Sequence, residues 1–263
     1  MSDLAELFPA ADYRFHLTLR RGEPADFFRP QDASSRLLRE RAKWIEADPA
    51  CCVALTPEGG LLLEEFAALA AAWQVPGADK LSDVAELGRR LEPDILFLSP
   101  DAAGEFWLRG GALCFPTGWA LQEKIGQPLD FIHGVVPGLN ATLGVSIQQF
   151  LAKLKPGWAF LRDNWGIAAT DELNLHPARA FPAPALPVAL DRLWLRVEHQ
   201  ALMALPRSGG VVFGIRIALH RLDEVARNPA AAVGLKRALA SMPAELAAYK
   251  RLDAIRSELA ALL

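Results

Sequence analysis

Five short runs rich in β-branched and aromatic residues occupy the middle of the chain, and they constrain the fold more than any other feature. Runs of this kind between glycine and proline are typical of strands. Helical patterns dominate both ends, so helices and strands are segregated along the chain. The sequence therefore predicts an α+β fold, in which N- and C-terminal helices flank an antiparallel sheet within a single domain of residues 1–263. The predicted strands are 94–98, 105–115, 158–168, 192–202 and 211–219.

Helices are predicted where apolar residues recur at helical spacing behind a serine, asparagine or proline. Asn140 is expected to be the N-cap of one of them. Two loop features interrupt the sheet: a Gly-Gly turn at 110 and 111, and a proline-rich surface loop at 176–187 between two strands. The predicted helices are 33–47, 61–73, 81–91, 140–154, 229–242 and 243–263.

Composition excludes several classes of protein. With 52% hydrophobic and 22% charged residues, the 263-residue chain can bury a sizeable core. A net charge of -3 and the absence of any run of lysine and arginine argue against a nucleic-acid partner. Because no signal-peptide pattern and no apolar stretch of about 20 residues is present, we expect a cytoplasmic protein with no membrane partner. Cys51, Cys52 and Cys114 have neither disulfide nor zinc spacing and are expected to be buried thiols.

Short catalytic motifs do not identify a reaction. The sequence has no G-x-G-x-x-G after a strand, no P-loop, no G-x-S-x-G, no H-E-x-x-H and no C-x-x-C. These absences exclude the commonest dinucleotide, nucleotide, hydrolase and metalloprotease signatures. Function must therefore be sought in less regular groups of residues.

One charged residue, Arg216, interrupts the predicted strand 211–219. Gly214 and Ala218 flank it on the same strand face, so that face is nearly flat. A hairpin at 203–210 is expected to bring this strand beside the one that carries Glu198. Two interpretations remain open: Arg216 and Glu198 form a buried structural ion pair, or they face one cavity in which arginine binds the carboxylate of a flat ligand.

Two of the five histidines stand in turn-like segments. His133 lies in "FIHGVVPGLN" and His176 in "LNLHP", beside the proline-rich loop. A lone histidine at a turn is more commonly a hydrogen-bonding residue than a metal ligand. Spacing alone does not choose between these roles for either residue.

Three blocks of sequence, in order, resemble the haem-dependent oxidative N-demethylase family. They are "CFPTGWALQEKIGQPLDFIHGVVPGLN" (114–140), "RDNWGI" (162–167) and "LWLRVEHQALMALPRSGGVVFGIRI" (193–217). The resemblance covers roughly residues 10–250. It implies a PAS-like antiparallel sheet that holds haem b, and oxidation of a small secondary amine with O2. The electrons would come from NAD(P)H through a reductase or ferredoxin.

The resemblance also implies roles for individual residues. The histidine of the family motif falls on His133, which we expect to bind the haem iron, with His176 as the alternative ligand. Glu198 is expected to handle protons. Arg216 is expected to contact a haem propionate or the bound oxygen, and Gly214 to form part of the haem site. Val135 stands where the motif has a proline.

Two classes of function follow from the resemblance. The first is a haem-dependent monooxygenase that removes an N-methyl group by hydroxylating the carbon next to nitrogen. The second is a non-catalytic, PAS-like module that binds haem or another small ligand and acts as a sensor, because fold alone does not fix function. Amine loss driven by NADH would separate the two classes.

Overall fold

The computed structural model describes residues 4–8, 10–30 and 35–263 and shows one antiparallel sheet at the centre of the protein. Strands in the described part of the chain are β1 (Arg20–Gly22), β2 (Val53–Leu55), β3 (Asp94–Pro100), β4 (Phe106–Ala112), β5 (Ala159–Ala168), β6 (Trp194–Ala204) and β7 (Val211–Arg221). Their order is β1-β5-β6-β7-β3-β4-β2, and every neighbouring pair is antiparallel. The predicted α+β class and antiparallel sheet are confirmed.

Helices precede, interrupt and follow the long strands. Those in the described residues are α1 (Pro24–Phe28), α2 (Arg36–Ala47), α3 (Pro49–Cys52), α4 (Pro57–Ala72), α5 (Val84–Arg90), α6 (Leu121–Lys124), α7 (Leu129–His133), α8 (Val145–Lys153), α9 (Leu222–Ala226), α10 (Pro229–Ser241), α11 (Ala244–Tyr249) and α12 (Arg256–Leu262). None of them is long and apolar enough to cross a membrane.

The register of β6 and β7 decides which side chains share a face of the sheet. Glu198 lies opposite Ile217, and His199 lies opposite Arg216. Directly opposed residues in antiparallel strands project to the same side, and successive residues alternate between sides. We call the face of Glu198 and Ile217 the cavity face, and that of His199 and Arg216 the opposite face.

Helices from both ends of the chain cover the opposite face. From the N-terminal part, Phe66 of α4 contacts Phe97 of β3 edge to face, with ring centroids 6.0 Å apart. From the C-terminal part, Leu235 of α10 packs in the same cluster as Val197 of β6. Burial of each such side chain contributes about 1.5–3 kcal/mol, so these two layers anchor the sheet.

The cavity face is covered less completely. Only Leu129 of α7 and Leu151 of α8 are buried in their helices, where they join the cluster around Ile215 and Ile217. Because so few side chains fill the layer between these helices and the sheet, space is left between them. That space is the cavity described below.

The predicted turn at Gly110 and Gly111 is wrong. Both residues lie inside β4, with φ of 153° and 143°. A Cβ on Gly111 would collide with the carbonyl oxygen of Ile95, and a Cβ on Gly110 would lie 2.7 Å from the carbonyl oxygen of Ala54. Glycine is therefore needed here for the close approach of neighbouring strands, not for a chain reversal.

Two helix predictions also need correction. Asn140 does not cap a helix. It is the first residue of a single π-helical turn that precedes α8, and its side-chain amide donates to the carbonyl of Asp130 at 2.7 Å. Residues 243–263 are not one helix, because α11 ends at Tyr249 and Arg251 adopts a left-handed conformation with φ of 58°. For the predicted helix 33–47, α2 begins at Arg36, and residues 33 and 34 lie outside the described residues.

The cysteine prediction holds for two residues of three. Cys52 and Cys114 are buried, but Cys51 is only half-buried. Its thiol donates to Asp48 Oδ2 at 2.8 Å. All three are free thiols.

Candidate functional site

Two adjoining compartments lie between the cavity face of the sheet and the segments that cover it. The first has a volume of about 750 Å³ and is bounded by the loop 117–119, the proline-rich loop and β5 and β6. The second, of about 460 Å³, is bounded by residues 13–20 and by α7 and α8. Both have the size of small-molecule sites, which span roughly 300–1,000 Å³. His133, Gln200 and Lys250 line both compartments, so the two volumes form one site.

Glu198 is the carboxylate at the centre of the first compartment. Its Oε1 accepts from the Thr117 hydroxyl at 2.7 Å, and its Oε2 accepts from Asn164 Nδ2 at 3.1 Å and Gln200 Nε2 at 2.9 Å. A carboxylate has about four lone-pair positions for acceptance. Three donors therefore fix its orientation and leave one acceptor position for a ligand.

The loop that carries Thr117 is anchored by two buried arginines. Arg196 is 1% exposed and donates through Nε to Thr117 Oγ1 at 3.0 Å and through NH2 to the Phe115 carbonyl at 2.8 Å. Burial lowers the pKa of Arg196 to about 10, which leaves it charged at neutral pH. On the other side of the loop, Arg41 binds Asp94 at 2.6 Å, and Asp94 accepts from the backbone N–H of Phe115 at 3.2 Å. Glu198 is thus held by a rigid frame.

His133 ends α7 and lines both compartments. Burial lowers its pKa; Asp130 opposes this effect, whereas Arg162 and Lys124 add to it. The imidazole is therefore neutral at neutral pH, which is the form that binds metals. Within the described part of the chain its ring nitrogens make no hydrogen bond.

His176 also lines the first compartment, but its ring is already committed. Its Nδ1 accepts from the backbone N–H of Ala178 at 3.2 Å, so a neutral ring carries its proton on Nε2. That Nε2 is buried and lacks a partner in the part of the chain that the structure describes. In this tautomer Nε2 carries a proton, and not the lone pair that a metal requires.

Two further cations line the cavity. Arg162 projects from β5 into the second compartment, on the same face as Asn164. Lys250 follows α11 and donates from Nζ to the carbonyl of Trp165 at 2.7 Å. Burial lowers the pKa of Lys250 to about 8; Glu198 opposes the shift and Arg162 adds to it.

Arg216 and Gly214 do not reach this cavity. The sheet lies between them and Glu198, because both project from the opposite face. The Arg216 guanidinium donates to the carbonyl of Phe27 at 2.6 Å and lies 3.4 Å from Glu92 Oε2. A Cβ on Gly214 would lie 2.7 Å from the ring of Phe27. The flat strand face therefore receives the side chain of Phe27, and the expectation of one cavity shared by Glu198 and Arg216 is wrong.

The cavity has the chemistry that the haem implied by the resemblance needs. Haem is flat and mostly apolar, carries two propionates, and requires an axial ligand from the protein. The second compartment supplies apolar walls, Arg162 and Lys250 supply positive charge, and His133 supplies an unbonded neutral imidazole. A bare metal ion needs several protein ligands, and no group of three or more His, Cys, Asp or Glu suited to one exists among the described residues. The residues present fit haem.

Sequence reasoning missed the two additional cavity cations. Arg162 is the first residue of the family-like "RDNW" block, but no role was predicted for it. Alternation along β5 is the signal that places Arg162 on the same face as Asn164. The side of the sheet to which that face belongs then depends on the pairing of β5 with β6. Lys250 gave no comparable signal, because it falls within a segment predicted as continuous helix.

A comparison with known protein families matches residues 40–260 to one family, described as haem-dependent oxidative N-demethylase, alpha subunit-like. The match covers most of the chain, including α7, β5, β6 and β7. It agrees with the cavity, which offers a neutral imidazole, apolar walls and a positioned carboxylate. The chain belongs to the haem-dependent oxidative N-demethylase, alpha subunit-like family.

Proposed function

We propose that this protein is a haem-dependent monooxygenase that removes a methyl group from a small secondary amine. The observation that carries the proposal is that His133 and Glu198 line one cavity in a chain of this family. An iron ligand and a carboxylate beside the same apolar volume are what an amine oxidation on haem needs. A binding or sensing module would need only the first of these.

In the proposed reaction, one amine, one O2, one NAD(P)H and one proton give the demethylated amine, formaldehyde, water and NAD(P)+. The methyl C–H bond is oxidised, one oxygen atom goes to formaldehyde and the other to water. Haem b, when bound, supplies the activation of O2. The electrons reach the protein from NAD(P)H through a reductase or ferredoxin, and we expect the reaction to take place in the cytoplasm.

His133 is the residue that we propose would bind the haem iron. Its depressed pKa keeps a lone pair available at neutral pH. The hydrogen bond from Ala178 N–H to His176 Nδ1 supports this choice, because it occupies the lone pair of Nδ1 and places the proton of a neutral His176 on Nε2.

Glu198 is the proposed proton-handling residue and binds the substrate nitrogen. Its free acceptor position takes the N–H of the amine, while Thr117, Asn164 and Gln200 hold the carboxylate still. This contact orients the N-methyl group and gives the proton of the substrate nitrogen a place to go. Arg216 has no part in this scheme, since it lies behind the sheet.

Glu198→Gln tests this assignment. The variant keeps the shape and loses the charge, and general acid–base groups contribute about 10²–10⁴-fold to rate. With NADH, a reductase and dimethylamine, formaldehyde release is expected to fall at least 100-fold while haem content is unchanged. Glu123→Gln, an exposed carboxylate on α6, is the matched control and is expected to behave like the parent protein.

Two results would contradict the proposal. If Glu198→Gln released formaldehyde at the parent rate, the carboxylate would have no role in turnover. If the haem-loaded parent protein bound dimethylamine but consumed no NADH with any reductase or ferredoxin tested, the protein would be a binding module instead of an enzyme.

A further inference from the structure

Arg162 is a partly buried cation without a counter-ion in the part of the chain that the structure describes. It stands in the middle of β5, on the cavity face, opposite Gln200. No hydrogen bond or ion pair joins its guanidinium to a described residue. Burial lowers its pKa, while the charge of Glu198 opposes this effect from within the cavity. Burying a charge without a partner costs free energy, so native proteins rarely contain a buried charge that has no counter-ion or hydrogen-bond partner.

The groups around Arg162 do not neutralise it. Its charge lowers the pKa values of His16, His133 and Lys250, so Arg162 adds to a region of positive potential. Two carboxylates act on its charge, Glu198 and Asp163. Glu198 is already held by Thr117, Asn164 and Gln200, and Asp163 already binds Arg20 and His199. The second compartment therefore has a surplus of positive charge.

Residues 13–20 close the compartment over Arg162. This segment is fixed at one end by the hydrogen bond from Tyr13 N to Ser241 Oγ, at 2.8 Å, and at the other by the pairing of β1 with β5. Tyr13 also lies near enough to Arg162 for the two groups to affect each other's pKa. The partly buried Arg162 thus lines a volume of about 460 Å³ that residues 13–20 also line.

We propose that Arg162 binds a carboxylate in the second compartment. The planar guanidinium matches a carboxylate through two parallel N–H···O bonds, which a lysine cannot reproduce. The carboxylate has two possible sources within the proposed function: a haem propionate, or a carboxylate on the amine substrate, which would then be an N-methylated amino acid. The proposal uses the cavity of the proposed function, but it does not depend on turnover.

The stability of the ligand-free protein gives the first test. A structural arginine stabilises the fold, so its loss would lower the urea midpoint of unfolding. An arginine kept for a ligand leaves an unpaired charge in the free protein, so Arg162→Leu is expected to keep or raise that midpoint. Arg227→Leu, an exposed arginine directly after α9, is the control for loss of one positive charge.

Binding gives the second test and separates the two sources. The full chain is titrated with haem, with haem dimethyl ester, with N-methylglycine and with dimethylamine, and absorbance and calorimetry report the dissociation constants. Arg162→Leu is expected to weaken binding of haem or of N-methylglycine by about 10- to 100-fold, and Arg162→Lys by less. Binding of the esterified haem and of dimethylamine, which lack a carboxylate, is expected to change less than twofold.

The pattern of losses identifies the source. Weaker binding of haem with unchanged binding of its dimethyl ester assigns Arg162 to a propionate, whereas weaker binding of N-methylglycine alone assigns it to the substrate. The proposal is overturned if Arg162→Leu binds haem and N-methylglycine as the parent does. It is also overturned if the ester loses as much affinity as haem, because packing would then explain the effect. A haem-loaded parent that turns over no amine defeats the proposed function and leaves these comparisons intact.

Discussion

Lys250→Met tests whether the cavity holds a desolvated cation. The amine of Lys250 donates only to the carbonyl of Trp165 among the described residues, and burial lowers its pKa from 10.5 to about 8. Methionine has a similar length and no charge. In the ligand-free protein the substitution is therefore expected to stabilise the fold at neutral pH, which is unusual for a change inside a binding site.

The sign and size of the effect follow from linkage. Below about pH 8 the amine is charged in both the folded and the unfolded chain, so folding carries the full free-energy cost of burying the charged amine. The lowered pKa corresponds to roughly 3 kcal/mol. Between about pH 8 and 10.5 the unfolded chain binds the proton and the folded one does not, so the stability of the parent protein rises with pH through this window. Loss of the hydrogen bond to Trp165 removes about 1 kcal/mol, which leaves a net gain of about 2 kcal/mol for the variant at pH 7.

Urea unfolding of the ligand-free chain measures this difference in stability. The measurements run from roughly pH 6.5, below the window in which the parent gains stability, to roughly pH 10, near its upper end. The variant is expected to be more stable at pH 7 and to lose that advantage by about pH 10. Lys236→Met, an exposed lysine on α10, is the control and is expected to show no such pH dependence. A variant that is less stable at every pH, or a difference that does not change with pH, would show that Lys250 carries no desolvated charge in the folded chain.

Three other substitutions test contacts outside the cavity: two on the opposite face of the sheet and one beside the loop that carries Thr117. Gly214→Ala pushes a methyl group against the ring of Phe27 and is expected to lower the free energy of unfolding by about 1–3 kcal/mol without changing haem affinity. Arg216→Lys loses the planar fork and its bond to the Phe27 carbonyl, so a loss of about 1–2 kcal/mol with unchanged haem affinity is expected; weaker haem binding would return Arg216 to the site. Asp94→Asn leaves the Arg41 charge buried without its carboxylate and is expected to cost about 3–5 kcal/mol, measured by urea unfolding; a loss below about 1 kcal/mol would contradict a charged pair there.

Alternation along the strands predicted most of the sheet correctly. Alternation along β6 places Glu198 and Gln200 on one face and His199 on the other, as the structure has them. What alternation cannot supply is the register between strands, and a register shift of one residue moves every side chain of a strand to the other face. Arg216 was assigned to the wrong side of the sheet for this reason. Two residues of similar chemistry on neighbouring strands were assumed to meet, although Glu198 in fact lies opposite Ile217.

Elements that depend on distant contacts were the hardest to predict. β1 and β2 have three residues each, too few for a pattern, and they exist because the edges of β5 and β4 offer hydrogen-bonding groups. The break after α11 that brings Lys250 to the cavity has no glycine or proline to signal it. The role of His133 as an iron ligand came from the family motif alone, since a lone histidine in a turn has no distinctive spacing.

Haem titration of three proteins tests whether His133 binds the haem iron. The parent chain, His133→Ala and His176→Ala are each titrated with haem, and the Soret band is followed. We expect the parent and His176→Ala to develop the same sharp Soret band, whereas His133→Ala loses it or shows the band of haem without its histidine ligand, and added imidazole restores the parent spectrum. The assignment of His133 is wrong if His133→Ala gives the parent spectrum while His176→Ala does not, or if the parent chain binds no haem.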